Sequence, residues 1–82
     1  MDRDDVLLEL AHKLEKRYGV QPDIFHKLGY VEIKDANLPD GPINPNDIET
    51  IIKEVRQKFN LEDTDLAYSI NFGDIQVGFS LP

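Results

Sequence analysis

Carboxylates, side-chain amides, hydroxyls and two histidines are the residues of this chain that could do chemistry, and their spacing is the first test of whether they do. Oxygen ligands are densest over residues 35–47, where Asp35, Asn37, Asp40, Asn44, Asn46 and Asp47 fall close together. A calcium loop of the EF-hand type needs oxygen ligands at alternate positions, a glycine at the sixth and a bidentate glutamate at the twelfth. With Asp35 and Asn37 as the first two ligands, Pro39 takes the third ligand position, Asp40 the glycine's place and Asn46 the glutamate's. The pattern fails, and asparagine and aspartate ordinarily serve as turn and cap residues in such a stretch. Glu9, His12 and Glu15 step along one helix at intervals of three. Zinc needs at least three well-placed ligands, and His26 lies outside the usual spacing, so a solvated helix face with intrahelical pairing is the simpler reading.

For nucleophilic catalysis the hydroxyls are Ser69, Ser80, Thr50 and Thr64, with His12 or His26 as base. No glycine-flanked nucleophile elbow is present, and the serines fall in mid-strand positions rather than on a strained turn. There is no GxGxxG, no Walker loop and no HExxH. The absence of cysteine removes disulfides, thiolate nucleophiles, iron–sulfur clusters and cysteine-built zinc sites. The chain therefore reads as a non-enzyme with no catalytic residue, no metal site and no cofactor.

Eighty-two residues suffice for one domain, residues 1–82, near the lower size at which an apolar core alone carries a fold. A formal charge of −7 disfavours nucleic acid and anionic membranes, whose binding is driven by lysine and arginine neutralising phosphate. The acidic start, Met1-Asp2-Arg3-Asp4-Asp5, is unlike a signal peptide, and no stretch approaches the ~20 apolar residues of a membrane span. A cytoplasmic location is the expectation.

Among the elements that must position any site, residues 66–81 are the most legible. A two-residue turn at Gly73-Asp74 pairs Phe72 with Ile75, Ile70 with Val77, Tyr68 with Phe79 and Leu66 with Leu81, collecting every large apolar residue on one face. The other face then pairs Asn71 with Gln76, Ser69 with Gly78 and Ala67 with Ser80.

Upstream, a first helix is expected over residues 3–18, capped by Asp2 and stopped by Gly19, with Leu7, Leu10, Ala11, Leu14 and Tyr18 as its apolar stripe. Val20 is placed to fold back onto its last turn. Pro22 suits the first position of a short helix over residues 22–28, burying Ile24, Phe25 and Leu28 and ending at Gly29. Residues 30–34 alternate as a strand with Val31 and Ile33 inward. Leu38 and Ile43 are expected to pin the proline-rich stretch that follows. A second long helix opens with Asn44 as N-cap, Pro45 at its first position and Ile43 stapled to Ile48. Ile48, Ile51, Ile52, Val55 and Phe59 form its stripe, and Asn60 is its left-handed stop with Leu61 folding back.

The order α-α-β-α-β-β predicts an α+β two-layer sandwich, in which a mixed three-stranded sheet is packed by two long helices and one short helix. The predicted core also takes in Leu66, Tyr68, Ile70, Phe72, Ile75, Val77, Phe79 and Leu81. What remains for function is surface. The outer face of the hairpin, Ala67, Ser69, Asn71, Gln76, Gly78 and Ser80, carries no charge in a chain that is 30% charged. Such a face is cheap to desolvate, and strand 75–81, taken as an edge, could accept another strand. The expectation is a protein-interaction module, a small regulator or accessory subunit, binding another protein or a second copy of itself. The alternative is an acidic inhibitor or immunity-type protein that blocks a basic nucleic-acid-binding or nuclease surface with Asp35, Asp40, Glu62, Asp63, Asp65 and Asp74.

Overall fold

The computed structural model describes residues 2–34 and 43–81. Its elements are α1 (Arg3–Tyr18), β1 (Asp23–Phe25), β2 (Tyr30–Ile33), α2 (Pro45–Phe59), β3 (Ala67–Asn71) and β4 (Asp74–Gly78). The class is α+β, and the strands form one antiparallel sheet in the order β1-β2-β4-β3.

Both helices begin and end where their local chemistry dictates. Asp2 accepts a hydrogen bond from the Asp4 amide at 3.0 Å, and Asn44 accepts one from the Asn46 amide at 3.0 Å with Pro45 behind it. At its far end α2 closes with a paired cap. The Leu61 amide donates to Arg56 O at 2.8 Å and the Asn60 amide to Gln57 O at 3.4 Å, which folds Leu61 back against the core. α1 instead ends on a single bond from the Gly19 amide to Glu15 O at 2.7 Å. That simpler cap does not turn the next residue inward, so Val20 is exposed rather than packed on the last turn.

The short helix expected over residues 22–28 is a strand and a turn. Residues 23–25 pair with residues 30–32, placing Ile24 beside Val31 and Phe25 beside Tyr30, whose rings lie 5.1 Å apart. A four-residue turn joins the strands, and Gly29 closes it at φ 83 with its amide donating to Phe25 O. Leu28, expected in the core, lies on that turn and is exposed. Isolated residues 22–28 carry a helical start and an apolar spacing; the unpaired edge of β2 offers them a ladder, and the ladder prevails.

Because β4 lies between β2 and β3, the sheet is not mixed. β2 and β3 run in the same direction but never touch, and every neighbouring pair is antiparallel. The strand expected at an edge, β4, is therefore interior. The hairpin register also differs: Asn71 faces Asp74, Ile70 faces Ile75, Ser69 faces Gln76, Tyr68 faces Val77 and Ala67 faces Gly78. The turn is Phe72-Gly73 rather than Gly73-Asp74, with both central residues at positive φ, 50 and 91. Moving the turn back by one residue shifts each pairing by two, so the faces remain as expected while Phe72 leaves the core entirely.

The core lies between the helices and one face of the sheet. Leu7, Leu10 and Leu14 of α1 and Ile48, Ile52 and Val55 of α2 pack with Val31, Ile33, Ile75 and Val77. The antiparallel helices are also joined at their surface, Glu9 with Lys58, Lys13 with Glu54 and Arg17 with Asp47. On the sheet's other face Tyr30 and Glu32 are buried as well, and Gln76 donates to Glu32 at 2.6 Å. Among the described residues no helix is long and apolar enough to cross a membrane.

Candidate protein interface

The sheet has two edges of different character. β1 is three residues long and begins with a charged aspartate, both features that discourage a further strand. β3 is five residues long, Ala67-Tyr68-Ser69-Ile70-Asn71, with no charge and no proline. The Phe72-Gly73 turn decides which backbone groups of β3 are free. The residues flanking a two-residue turn exchange hydrogen bonds, and bonded and non-bonded pairs alternate along the ladder. Ala67, Ser69 and Asn71 are thus bonded to β4, and the amides and carbonyls of Tyr68 and Ile70 point away from the sheet. Just before β3 the Leu66 carbonyl is already engaged, accepting from Arg56 at 2.6 Å.

Beside this edge runs a groove of about 690 Å³ between α2 and β3, with Ile52, Leu61, Leu66 and Tyr68 among its apolar lining and Glu49, Lys53 and Arg56 along its α2 side. Tyr68 bridges the two walls, its hydroxyl donating to Glu49 at 2.9 Å. That bond holds the tyrosine pKa above its ordinary value. Arg56 Nε is buried without a hydrogen-bond partner.

At the far end of the edge stands Phe72, fully exposed at 101% of its free surface and in the left-handed backbone region at φ 50. A bulky residue seldom adopts that conformation, and asparagine or glycine is the usual occupant of this turn position. Phe72 was expected to face Ile75 in the core. The signal that separates the two registers is the turn dipeptide: both align the apolar residues, but only the Phe72-Gly73 turn has glycine second with Asn71 and Asp74 closing it.

The outer-face residues named from the sequence share one face of the β3–β4 hairpin, with Ser69 beside Gln76 and Ala67 beside Gly78. On the outer face Ala67, Asn71 and Ser80 are exposed and Ser69 and Gln76 half-buried, whereas Gly78 is buried; a Cβ there would collide with Gly29 O and Tyr30 Cα. That face is also not free of charge across the whole sheet, since the row through Ser69 and Gln76 continues into Glu32 and Asp23. Of the acidic set, Asp35 and Asp40 lie outside the described residues, as does Leu38. Glu62 and Asp63 are exposed before β3, Asp65 accepts the Glu62 amide at 2.7 Å, and Asp74 follows the turn at the other end of β3. The two groups lie about 20 Å apart, at opposite ends of β3. His26 is engaged with Asp4 at 2.9 Å near β1, at the opposite edge from Ser69, and Thr50 donates to Asn46 O. Glu9 is taken up by Lys58, and among the described residues no group of three ligating side chains could hold a metal ion.

Comparison with protein-family models, curated proteins and solved structures finds no match.

Proposed function

We propose that this chain is a non-enzymatic protein-interaction module, a small regulator or accessory subunit, that docks through the β3 edge, the α2–β3 groove and Phe72. Phe72 is the observation that carries the reading: its ring is wholly in water, and the left-handed conformation the turn demands costs a phenylalanine about 1–3 kcal/mol that asparagine or glycine would largely avoid, so the choice of this side chain does not serve the fold. A partner that accepts the ring and extends the sheet uses both features. Strand addition supplies main-chain hydrogen bonds, and the groove and the exposed ring supply selectivity.

The test is capture from a native-host lysate by wild-type chain and by two sets of variants. Phe72→Asn and Ser69→Lys are expected to lose a captured protein while keeping the wild-type thermal midpoint or a higher one. Glu62→Lys with Asp63→Lys is expected to retain it. Loss of binding in the acidic pair alone, with affinity falling steeply as salt rises, establishes the acidic-inhibitor reading instead.

A further inference from the structure

The occupant of this edge follows from what the edge leaves open, on the reading that the edge is the docking site. We infer that the partner is a second copy of this chain, added antiparallel to β3 about a two-fold axis at Ser69.

The register is constrained from both ends. Within β3 the backbone groups that point away from the sheet are those of Tyr68 and Ile70; just outside it, Leu66 O already accepts from Arg56 and Phe72 is in a left-handed turn. An axis at Tyr68 would require Leu66 to pair with Ile70 of the second copy, and an axis at Ile70 would require Phe72 to pair with Tyr68. An axis at Ser69 pairs Tyr68 with Ile70 of the second copy and, by symmetry, Ile70 with its Tyr68, using both free residues and no others. The inner faces of the two sheets then lie on the same side, so both helical layers cover one continuous sheet.

Two further features are self-complementary under that axis. Phe72 comes opposite Leu66 of the second copy, at the end of the groove lined by Leu61, Leu66 and Tyr68, and the reciprocal contact forms at the other end. The axis also reverses the direction of α2, setting the acidic early end of its groove side, Glu49, toward the basic late end, Lys53 and Arg56, of the other copy. A strand of an unrelated protein meets none of these conditions by necessity.

Because the chain has no cysteine, one introduced thiol reports the register directly. At the axis Ser69 faces itself in a non-bonded pair, where Cα atoms lie about 4.5 Å apart, within disulfide range. Ser69→Cys is expected to form a disulfide-linked dimer on mild oxidation. Ala67→Cys, which faces Asn71 of the second copy and lies about 13 Å from its own symmetry mate, is expected not to. In sedimentation equilibrium the wild type is expected to dimerise, with Ser69→Lys and Phe72→Asn each weakening dimerisation at least tenfold. Equal cross-linking of both cysteine variants, or a dimer indifferent to Ser69→Lys and Phe72→Asn, overturns the proposed register. A wild-type chain monomeric at about 1 mM, a concentration at which even weak pairs associate, overturns the second copy as occupant. If that monomer still captures a protein that Phe72→Asn and Ser69→Lys lose, the edge is a docking site for a different partner; if capture is the same in all variants, the docking reading falls with it.

Discussion

A phenylalanine at φ 50 with its ring in solvent is unfavourable for the isolated fold, and the size of that cost can be measured. Phe72→Asn creates the Asn-Gly dipeptide most suited to a two-residue hairpin turn. The urea midpoint, measured at concentrations below any association, should rise by the equivalent of about 0.5–1 kcal/mol. No change would mean that the phenylalanine is not strained there. Gly78 gives the opposite outcome. A methyl group at Gly78 meets backbone atoms of Gly29 and Tyr30 rather than a flexible side chain, so Gly78→Ala should destabilise by about 2–3 kcal/mol. Asn44→Ala removes the acceptor for the Asn46 amide and should cost about 1 kcal/mol, more than Gln57→Ala at an exposed position late in the same helix. The Asn44 cap was legible in the sequence because asparagine, proline and the flanking isoleucine all act within one turn. The Gly78 contact was not, since β2 and β4 are 41 residues apart at their first ends, Ile33 and Asp74, and no local pattern records their approach.

Between elements, the helix pair and the β3 edge make separate predictions. The Lys58 hydrogen bond holds the Glu9 carboxyl below its ordinary pKa. A carboxyl lowered in the folded state contributes stability above its unfolded pKa, about 4.3, and loses that contribution as pH falls through the folded value. Lys58→Met should therefore flatten the decline of the urea midpoint between about pH 5 and pH 3, and an unchanged decline would assign it to other carboxylates. At β3, the amides of Tyr68 and Ile70 should exchange with solvent much faster than those of Ser69 and Asn71 when the protein is dilute. Their protection should rise with concentration if a second copy pairs there. The alternation itself follows from the turn, so a slow Tyr68 amide in dilute solution would contradict the register. Element identity was legible for both helices and for the last three strands, each of which has a sustained period. It was not legible for residues 23–25, too few to show one.

At the scale of the whole molecule, a charge of −7 opposes self-association, so the proposed dimer must draw on strand pairing and on Phe72 rather than on any general tendency of the chain to associate. Solubility should be lowest near the sequence pI of about 4.6, where that repulsion vanishes. A minimum far from this value would point to association through the specific edge alone. Sequence alone determined the α+β class, the limits of both long helices and the inward faces of their stripes, because caps, stops and helical spacing act within a few residues. It also determined which residues of β3 and β4 face the helices, since a period of two survives a shift of register by two. Phe72 lies outside the core because of the Phe72-Gly73 turn, a signal present in the sequence. Tertiary structure alone decided that β4 rather than β3 lies inside the sheet and that residues 23–25 become a strand. β4 pairs with the distant β2, three residues beside an open edge carry no period of their own, and pairing energy of that kind leaves no trace in the spacing of either segment.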